Sequence, residues 1–342
     1  MILVSCSEKS PESIILFIGS GMGVGHISAD YYNNQKSPFV EFPVSALMRT
    51  DPGGGQWITD AAAAGTALAT GIKVKRGAVS INEKGENIPT VFEIAKKRKM
   101  ATGVIATTSI TYATPAAFMV HTPIWGREFD IANQIASSGV DVLLGGGRRF
   151  FEWNTVADTN LMKIMEDDKY TVIYQQNQLA VLESDKCDKL LGLFAAEALK
   201  KANLRSLSLK LMTQKAVDVL DNNDRGFVLV VEGSQIDWRC HERDEDGLLA
   251  EMRDFTDAIR WAFEYQKNHR EVLIIVAGIN ETGGVFLTHD PNGKGETRLK
   301  FVTGNHTANF CPVFAKGPGA EKIHGLMDIS ELGSMLIHIL ER

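Results

Sequence analysis

The chain has 342 residues, which is enough for one large α/β domain or two small ones. Its hydrophobic content of 44% and charged content of 23% are ordinary for a globular protein. A net charge of −6 argues against a nucleic-acid partner, because binding to a phosphate backbone calls for a basic face. No apolar run in the sequence approaches the ~18 residues needed to span a bilayer.

Short apolar runs in the sequence predict buried strands, and the amphipathic stretches between them predict helices. Strands that alternate with such helices indicate βαβ units. We therefore predict an α/β fold, a three-layer sandwich in which a mostly parallel central sheet has helices on both faces. In chain order the predicted elements are strand 13–19, helix 90–98, strand 101–106, helix 129–138, strand 140–144, helix 207–221, strand 226–231, helix 248–268, strand 272–277, strand 312–315 and helix 329–341.

The organisation of the chain is simple. Residues 51–55 and 289–296 are rich in Gly, Pro, Asp and Asn, which is typical of surface loops. No change in composition divides the sequence. We expect an N-terminal tail over 1–12, a candidate remnant of a lipoprotein signal, followed by a single domain over 13–342.

Cysteine usage bears on the location of the protein. Cys187, Cys240 and Cys311 are scattered, and no CxxC pair occurs. Residues 3–6 (LVSC) resemble the lipobox of bacterial lipoproteins, in which the cysteine becomes the lipidated first residue. An export signal needs a basic and then an apolar segment upstream, and only five residues precede Cys6. We expect a periplasmic or membrane-anchored lipoprotein if the N-terminus is truncated, and otherwise a cytoplasmic protein.

Six segments of the sequence stand out as candidate motifs. They are 14–23 (IILFIGSGMG), 59–71 (TDAAAAGTALATG), 107–118 (TTSITYATPAAF), 231–241 (VEGSQIDWRCH), 279–284 (INETGG) and 303–320 (TGNHTANFCPVFAKGPGA). In their order and rough spacing these segments resemble the alkaline phosphatase family, and the resemblance covers nearly the whole chain. It implies an alkaline phosphatase-like fold, hydrolysis of phosphate monoesters with two zinc ions and a nearby magnesium, and a homodimer.

One zinc site of the family is matched in full. The resemblance assigns it to Asp237, His241 and His306. Asp237 and His241 are four residues apart, so on a helix they share one face. A carboxylate and two imidazoles with an open fourth position suit zinc. We therefore expect one bound zinc.

The second zinc site and the nucleophile are not matched. Ser20 stands where the family has a metal-binding Asp, and Ala61 stands where it has the nucleophilic Ser. Ile279 and Asn280 replace an Asp-His pair of ligands. Ser and Asn bind zinc poorly, and the side chains of Ala and Ile have no donor atom. We expect this site to bind no metal.

The magnesium and phosphate positions are also altered. Thr114 and Glu232 match two magnesium ligands of the family, but one carboxylate and one hydroxyl make a weak site, so magnesium is doubtful. Tyr112 stands where relatives carry Asp or His. Trp125 stands where the family clasps phosphate with an Arg, and Arg127, two residues on, is better interpreted as a solvated surface residue.

Three interpretations remain open. The first is a pseudoenzyme that keeps one zinc site. It would bind an unknown protein or an unknown ligand, for example a phosphate-like anion. The second is a metal-dependent phosphoester hydrolase with altered, one-metal, water-based chemistry. The third is a structural subunit that binds no metal.

Overall fold

A ten-stranded sheet forms the centre of the computed structural model, which describes residues 10–34, 37–289 and 297–342. The strands of the described residues are β1 (Ser13–Gly19), β2 (Val44–Arg49), β3 (Ala101–Ser109), β4 (Val142–Gly146), β5 (Tyr170–Ile173), β6 (Lys189–Leu193), β7 (Phe227–Gly233), β8 (Val272–Gly278), β9 (Glu281–Thr282), β10 (Val285–His289), β11 (Thr297–Phe301), β12 (His306–Thr307), β13 (Cys311–Lys316) and β14 (Leu326–Asp328). Their order in the sheet is β14-β2-β13-β8-β1-β7-β3-β4-β6-β5, while β10 pairs with β11 and β12 with β9.

The helices lie between these strands along the chain. They are α1 (Val24–Asn33), α2 (Ala61–Thr70), α3 (Val91–Lys97), α4 (Ala113–Ala116), α5 (Glu128–Ser138), α6 (Arg149–Glu152), α7 (Leu161–Asp167), α8 (Gln176–Ala180), α9 (Leu209–Leu220), α10 (Gln235–Glu242), α11 (Glu245–Gln266) and α12 (Ile329–Glu341). None of the helices in the described ranges is long and apolar enough to cross a membrane.

Both faces of the sheet are buried. Successive side chains of β1 point to opposite faces, and every residue of the strand is buried. Ile14, Leu16 and Ile18 belong to one core, together with residues of α2, α3, α5 and α12. Ile15 and Phe17 belong to a second core, together with residues of α9, α10 and α11. The predicted three-layer α/β sandwich is therefore confirmed.

The strand predicted at 312–315 was expected to be another parallel strand, and that direction is wrong. It lies within β13, which runs antiparallel to both β2 and β8. Parallel neighbours need a crossover connection, usually a helix on one face of the sheet. Between β8 and β13 the described chain forms the short strands β9 to β12 instead, with no helix, and so it returns in the opposite direction.

Local capping explains where the helices begin. The side chain of Asp328 accepts from the backbone N–H of Ser330, and α12 spans the predicted residues 329–341. Asp244 caps α11 in the same way, so that this helix begins at Glu245, three residues before the predicted 248. Residues 51–55 lie outside regular structure, as predicted, whereas His289 belongs to β10. The rest of the predicted loop 289–296, Cys6 and most of the predicted tail lie outside the described residues, and the domain division stays a prediction.

Candidate metal centre

The carboxyl ends of three neighbouring parallel strands meet at one edge of the sheet. Gly19, the last residue of β1, is paired with Gly233 of β7 on one side and with Gly278 of β8 on the other. Ser20 follows Gly19 directly, and Asn280 follows two residues after Gly278, so the register brings both to the same edge. This is the end of an open parallel sheet at which ligands bind.

Asp237, His241 and His306 form a compact group at this edge. Asp237 and His241 lie one turn apart on α10, which begins two residues after β7 ends. His306 comes from β12, which pairs with β9 so that His306 stands opposite Thr282. One donor atom from each of the three side chains lies within 4.8 Å of the others. The structure thus brings together the three residues predicted to bind zinc.

Backbone carbonyl groups orient both imidazole rings. His241 Nδ1 lies 2.7 Å from the carbonyl oxygen of Gly304, and His306 Nδ1 lies 2.8 Å from that of Thr59. A carbonyl oxygen only accepts, so each Nδ1 carries the hydrogen. The Nε2 atoms face Asp237, at 3.2 Å from Oδ2 for His241 and 3.4 Å from Oδ1 for His306. Metal sites in proteins fix their histidine ligands in this way.

The electrostatics of the group also suit a cation. The hydrogen bond with Asp237 raises the pKa of His241 to about 9. Burial lowers the pKa of His306, but the hydrogen bond and charge of Asp237 outweigh it and raise that pKa overall. Burial works to raise the pKa of Asp237, whereas the two imidazoles together hold it below its usual range. A proton on His241 supplies positive charge that a metal ion would replace, and metal binding would release that proton.

Asn280 satisfies Asp237 with its amide group. Asn280 Nδ2 donates to Asp237 Oδ1 and to Thr282 Oγ1, both over 3.0 Å. Asn280 Oδ1 accepts from the backbone N–H of Gly21 over 3.2 Å. Thr282 Oγ1 itself donates to Asp237 Oδ1. Asn280 therefore gives the buried carboxylate of Asp237 a neutral hydrogen-bond donor.

Gly21 allows the loop after β1 to lie against α10. A Cβ atom at this position would lie 2.7 Å from the Cα atom of Asp237, and the backbone φ angle is +79°. Only glycine adopts this conformation without strain and leaves room for so close an approach. Through this contact Ser20 and the backbone N–H of Gly21 reach the site.

Ser20 and Glu232 form a buried hydrogen-bonded pair. Ser20 Oγ donates to Glu232 Oε1 and Ser234 Oγ donates to Glu232 Oε2, each over 2.6 Å. Burial raises the pKa of Glu232, and the hydroxyl groups of Ser20, Ser234 and Thr114 offset this in part. Magnesium prefers octahedral oxygen ligation with carboxylates and waters. One carboxylate engaged by two serine hydroxyls fits that ion poorly.

The groups near Ala61 are engaged in other contacts. Ala61 is the first residue of α2, and Asp60 caps this helix through its side chain. Thr59 Oγ1 donates to the carbonyl oxygen of Asp60 over 3.2 Å, and Thr66 Oγ1 donates to that of Ala78 over 3.2 Å. The methyl group of Ala61 has no lone pair with which to attack a phosphorus atom. The side chains of Thr59, Asp60 and Thr66 are therefore held by other partners.

Trp125 lies in a cluster of aromatic rings. Its ring centroid is 5.2 Å from that of Tyr112, which in turn is 5.8 Å from that of Trp238. Trp238 is the neighbour of Asp237 on α10, so the cluster adjoins the candidate metal site. Arg127 is exposed, in agreement with its interpretation as a surface residue. Aromatic rings thus lie beside the candidate metal site.

Ile279 and several unpredicted residues complete the site. Ile279 is fully buried and packs in the core that contains α2 and α12. Thr282, Ser234 and Trp238 were not predicted from the sequence. Each lies within two residues of a predicted site residue, and that proximity was the available signal. The two carbonyl groups that orient the imidazoles gave no signal, because every residue has one.

Comparison with known proteins identifies the family. The family model for alkaline phosphatase matches residues 12–296. The chain belongs to the alkaline phosphatase family. Alkaline phosphatase 4 of Bacillus subtilis (strain 168) is 37% identical to it over 301 residues, which are 83% of this chain and 64% of that protein. The chain therefore matches less than two thirds of this relative's length.

Solved alkaline phosphatases share the fold over their whole length. The alkaline phosphatase from the Antarctic bacterium TAB5 is 30% identical, with a TM-score of 0.91, and the match covers 97% of this chain and 99% of that one. A variant of the TAB5 enzyme that has Mg bound matches with a TM-score of 0.90 at 30% identity and the same coverage. The alkaline phosphatase family uses metal ions and acts on phosphate esters. These two properties frame the proposals below.

Proposed function

We propose that this chain is a metal-binding member of the alkaline phosphatase family that does not hydrolyse phosphate monoesters by the family's serine mechanism. A zinc ion would be held by Asp237, His241 and His306. It would supply positive charge and an open coordination position for a water molecule or a phosphate-like anion. The observation that supports this most directly is the pair of imidazoles oriented around Asp237. One of them, His306, is held by the carbonyl group of Thr59, two residues before Ala61.

A second candidate is hydrolysis by one-metal, water-based chemistry. The side chain of His241 is 39% exposed, so solvent reaches the candidate metal ligands. Such chemistry needs neither a serine nor a second zinc site. The substrate would be a phosphoester whose class this site does not specify. We rank it second, because no arginine clasp for phosphate is apparent among the described residues of the site.

One experiment separates these candidates from a purely structural role. Metal content per chain is measured by elemental analysis, together with turnover of an aryl phosphate. We expect about one zinc per chain and turnover at least ~10⁴-fold below that of an active relative, since covalent and metal contributions to the rate are each several kcal/mol. Turnover that a chelator abolishes would favour the second candidate. Absence of bound zinc would favour the structural role.

Thermal unfolding tests the ligand assignment. Zinc that binds the folded protein preferentially raises the midpoint of unfolding, Tm. We expect this rise in the parent protein and its loss in His241→Ala and in His306→Ala. His324→Ala is the matched control, because His324 is exposed and lies outside the group of ligands. If zinc does not change the Tm of the parent protein, the assignment of Asp237, His241 and His306 as zinc ligands is wrong.

Two further proposals concern partners and location. A second copy of the chain is the proposed protein partner, by resemblance to the family, and light scattering on the purified protein tests it. A lipidated Cys6 is the proposed anchor. Incorporation of labelled fatty acid into a full-length precursor, and its loss in Cys6→Ala, would support that anchor.

A further inference from the structure

Three aromatic side chains form one surface beside the candidate metal centre. The ring of Tyr112 is steeply inclined to both its neighbours, at 66° to Trp125 and 76° to Trp238, with ring centroids 5.2 Å and 5.8 Å away. All three side chains are partly exposed, so solvent reaches the group. Trp125, Tyr112 and Trp238 are called the aromatic cluster below. Rings set at steep angles to one another are the arrangement with which proteins enclose organic cations.

Carboxylates act electrostatically on Tyr112, the central ring of the aromatic cluster. Burial raises the pKa of Tyr112, and the negative charges of Asp237, Glu232 and Glu128 raise it further. Glu128 Oε2 accepts a hydrogen bond of 2.6 Å from Thr111 Oγ1. Thr111 directly precedes Tyr112 in the chain, so this hydrogen bond holds the carboxylate of Glu128 next to the residue before Tyr112. The faces of aromatic rings also carry negative potential. A cationic group at the cluster would therefore be attracted both by the rings and by the carboxylates.

We propose that the aromatic cluster binds a quaternary ammonium group. A methylated ammonium presents a weakly hydrated, bulky cation to the rings, and cation–π contacts attract it to their faces. A primary ammonium is more strongly hydrated and would bind less well. The group can belong to a small molecule or to the choline headgroup of a lipid. This inference goes beyond the proposed metal function, because the cluster shares no donor atom with the metal group.

The test compares choline with 3,3-dimethylbutan-1-ol, its neutral isostere. Both are titrated into the full chain, with and without zinc, and tryptophan fluorescence and calorimetry report binding. We expect choline to bind at least ~5-fold more tightly than the isostere, since the two differ only in charge. Zinc should leave this preference in place, because the metal ion replaces positive charge that a protonated imidazole already supplies beside Asp237.

Variants locate the binding site. Trp125→Leu and Tyr112→Leu keep apolar bulk but remove a ring, and each should reduce the preference for choline at least ~3-fold. Trp153→Leu is the control, since this tryptophan is 61% exposed and lies outside the cluster. Equal affinity for choline and its isostere, or an unchanged preference in both cluster variants, would overturn the proposal. Far-ultraviolet circular dichroism and Tm establish that each variant is folded.

Two more arms complete the experiment. Sedimentation compares binding to phosphatidylcholine vesicles with binding to phosphatidylglycerol vesicles. If the protein binds phosphatidylcholine vesicles and this binding requires the aromatic cluster, the quaternary ammonium group belongs to a lipid. If the protein binds free choline but not the vesicles, the group belongs to a small molecule. A parent protein that prefers choline but binds no zinc would support the cluster proposal and contradict the metal proposal. A parent that binds zinc but does not distinguish choline from its isostere would do the reverse.

Discussion

At the scale of single residues, Asp237 is the centre of the site. Four side chains donate or lie within reach of its carboxylate: those of His241, His306, Asn280 and Thr282. A buried carboxylate without such partners would be destabilising by several kcal/mol or would become protonated. The amide of Asn280 supplies one of these partners, so it is expected to stabilise the ionised carboxylate when no metal ion is bound.

Asn280→Asp tests this role of the amide. The substitution places a second carboxylate against Asp237, and we expect the free energy of unfolding in chelator to fall by about 2–3 kcal/mol near neutral pH. Urea denaturation measures the change. Added zinc should restore more stability to this variant than it adds to the parent, because the cation offsets the repulsion. Asn133→Asp, at an exposed position of α5, should change stability by less than about 0.5 kcal/mol. A fully stable Asn280→Asp in chelator would contradict the role.

Ala61→Ser tests whether the nucleophile alone limits activity. The new serine would lack its activating metal, so we expect little gain in aryl phosphate turnover. Recovery should require the further changes Ser20→Asp, Ile279→Asp, Asn280→His and Trp125→Arg, since residues that act as a unit are not additive. Initial rates with zinc and magnesium present compare the single and combined variants. Substantial activity in Ala61→Ser by itself would show that the second site is functional.

At the scale of elements, a buried ion-pair network fastens the segment before α9 to α11. The side chain of Arg205 is 5% exposed and donates to both carboxylate oxygens of Glu251, over 2.9 and 2.7 Å. It also donates to Asp254 over 2.6 Å. Burial raises the pKa of Glu251, and the charge of Arg205 offsets this in part. Removal of the arginine would leave a carboxylate buried without its counter-ion.

Arg205→Met should lower the free energy of unfolding by about 3–5 kcal/mol, the usual effect of breaking a buried pair from one side. Arg149→Met is the matched control. This substitution breaks the ion pair between Arg149 and Glu197, whose side chains are 51% and 66% exposed. It should therefore lower the free energy of unfolding by less than about 1 kcal/mol. Urea denaturation at neutral pH measures both variants. Similar losses in the two would contradict the difference that burial is expected to make.

At the scale of the whole molecule, one sheet with two cores folds around a few buried ionisable groups. His26 of α1 is fully buried, with Nδ1 accepting from the backbone N–H of Gly23 over 3.0 Å and Nε2 3.1 Å from Cys240 Sγ. Burial lowers the pKa of His26 from 6.5 to about 4. Below pH 6.5 the unfolded chain therefore takes up a proton that the folded protein does not. The stability due to neutral His26 is complete above pH 6.5 and declines as the pH falls towards 4.

This coupling predicts an acid-sensitive stability. Between pH 6.5 and 4.5 we expect His26 to account for a loss of about 2 kcal/mol in the free energy of unfolding. Gln does not titrate, so His26→Gln should show a correspondingly smaller loss over the same range, whatever its stability at pH 6.5. Urea denaturation in chelator at the two pH values gives both slopes. Equal slopes in parent and variant would contradict a buried, neutral His26.

The sequence by itself determined the features that depend on local pattern. Apolar runs predicted six strands of the sheet, including β1 at its observed bounds, because a strand buried on both faces has apolar residues throughout. The spacing of Asp237 and His241 predicted a shared helix face, because the helical period is fixed. The family resemblance also predicted that Ala61 and Trp125 depart from the family pattern, since such a prediction needs only the residues of the matching segments.

The tertiary structure decided what depends on contacts between distant residues. The direction of β13, the amide of Asn280 on Asp237, the carbonyl groups that orient His241 and His306, and the aromatic cluster all arise between segments far apart in sequence. Strand order and register set these contacts, and neither follows from local periodicity. A side chain's identity states which bonds it can form, but only the folded sheet determines which partner it meets.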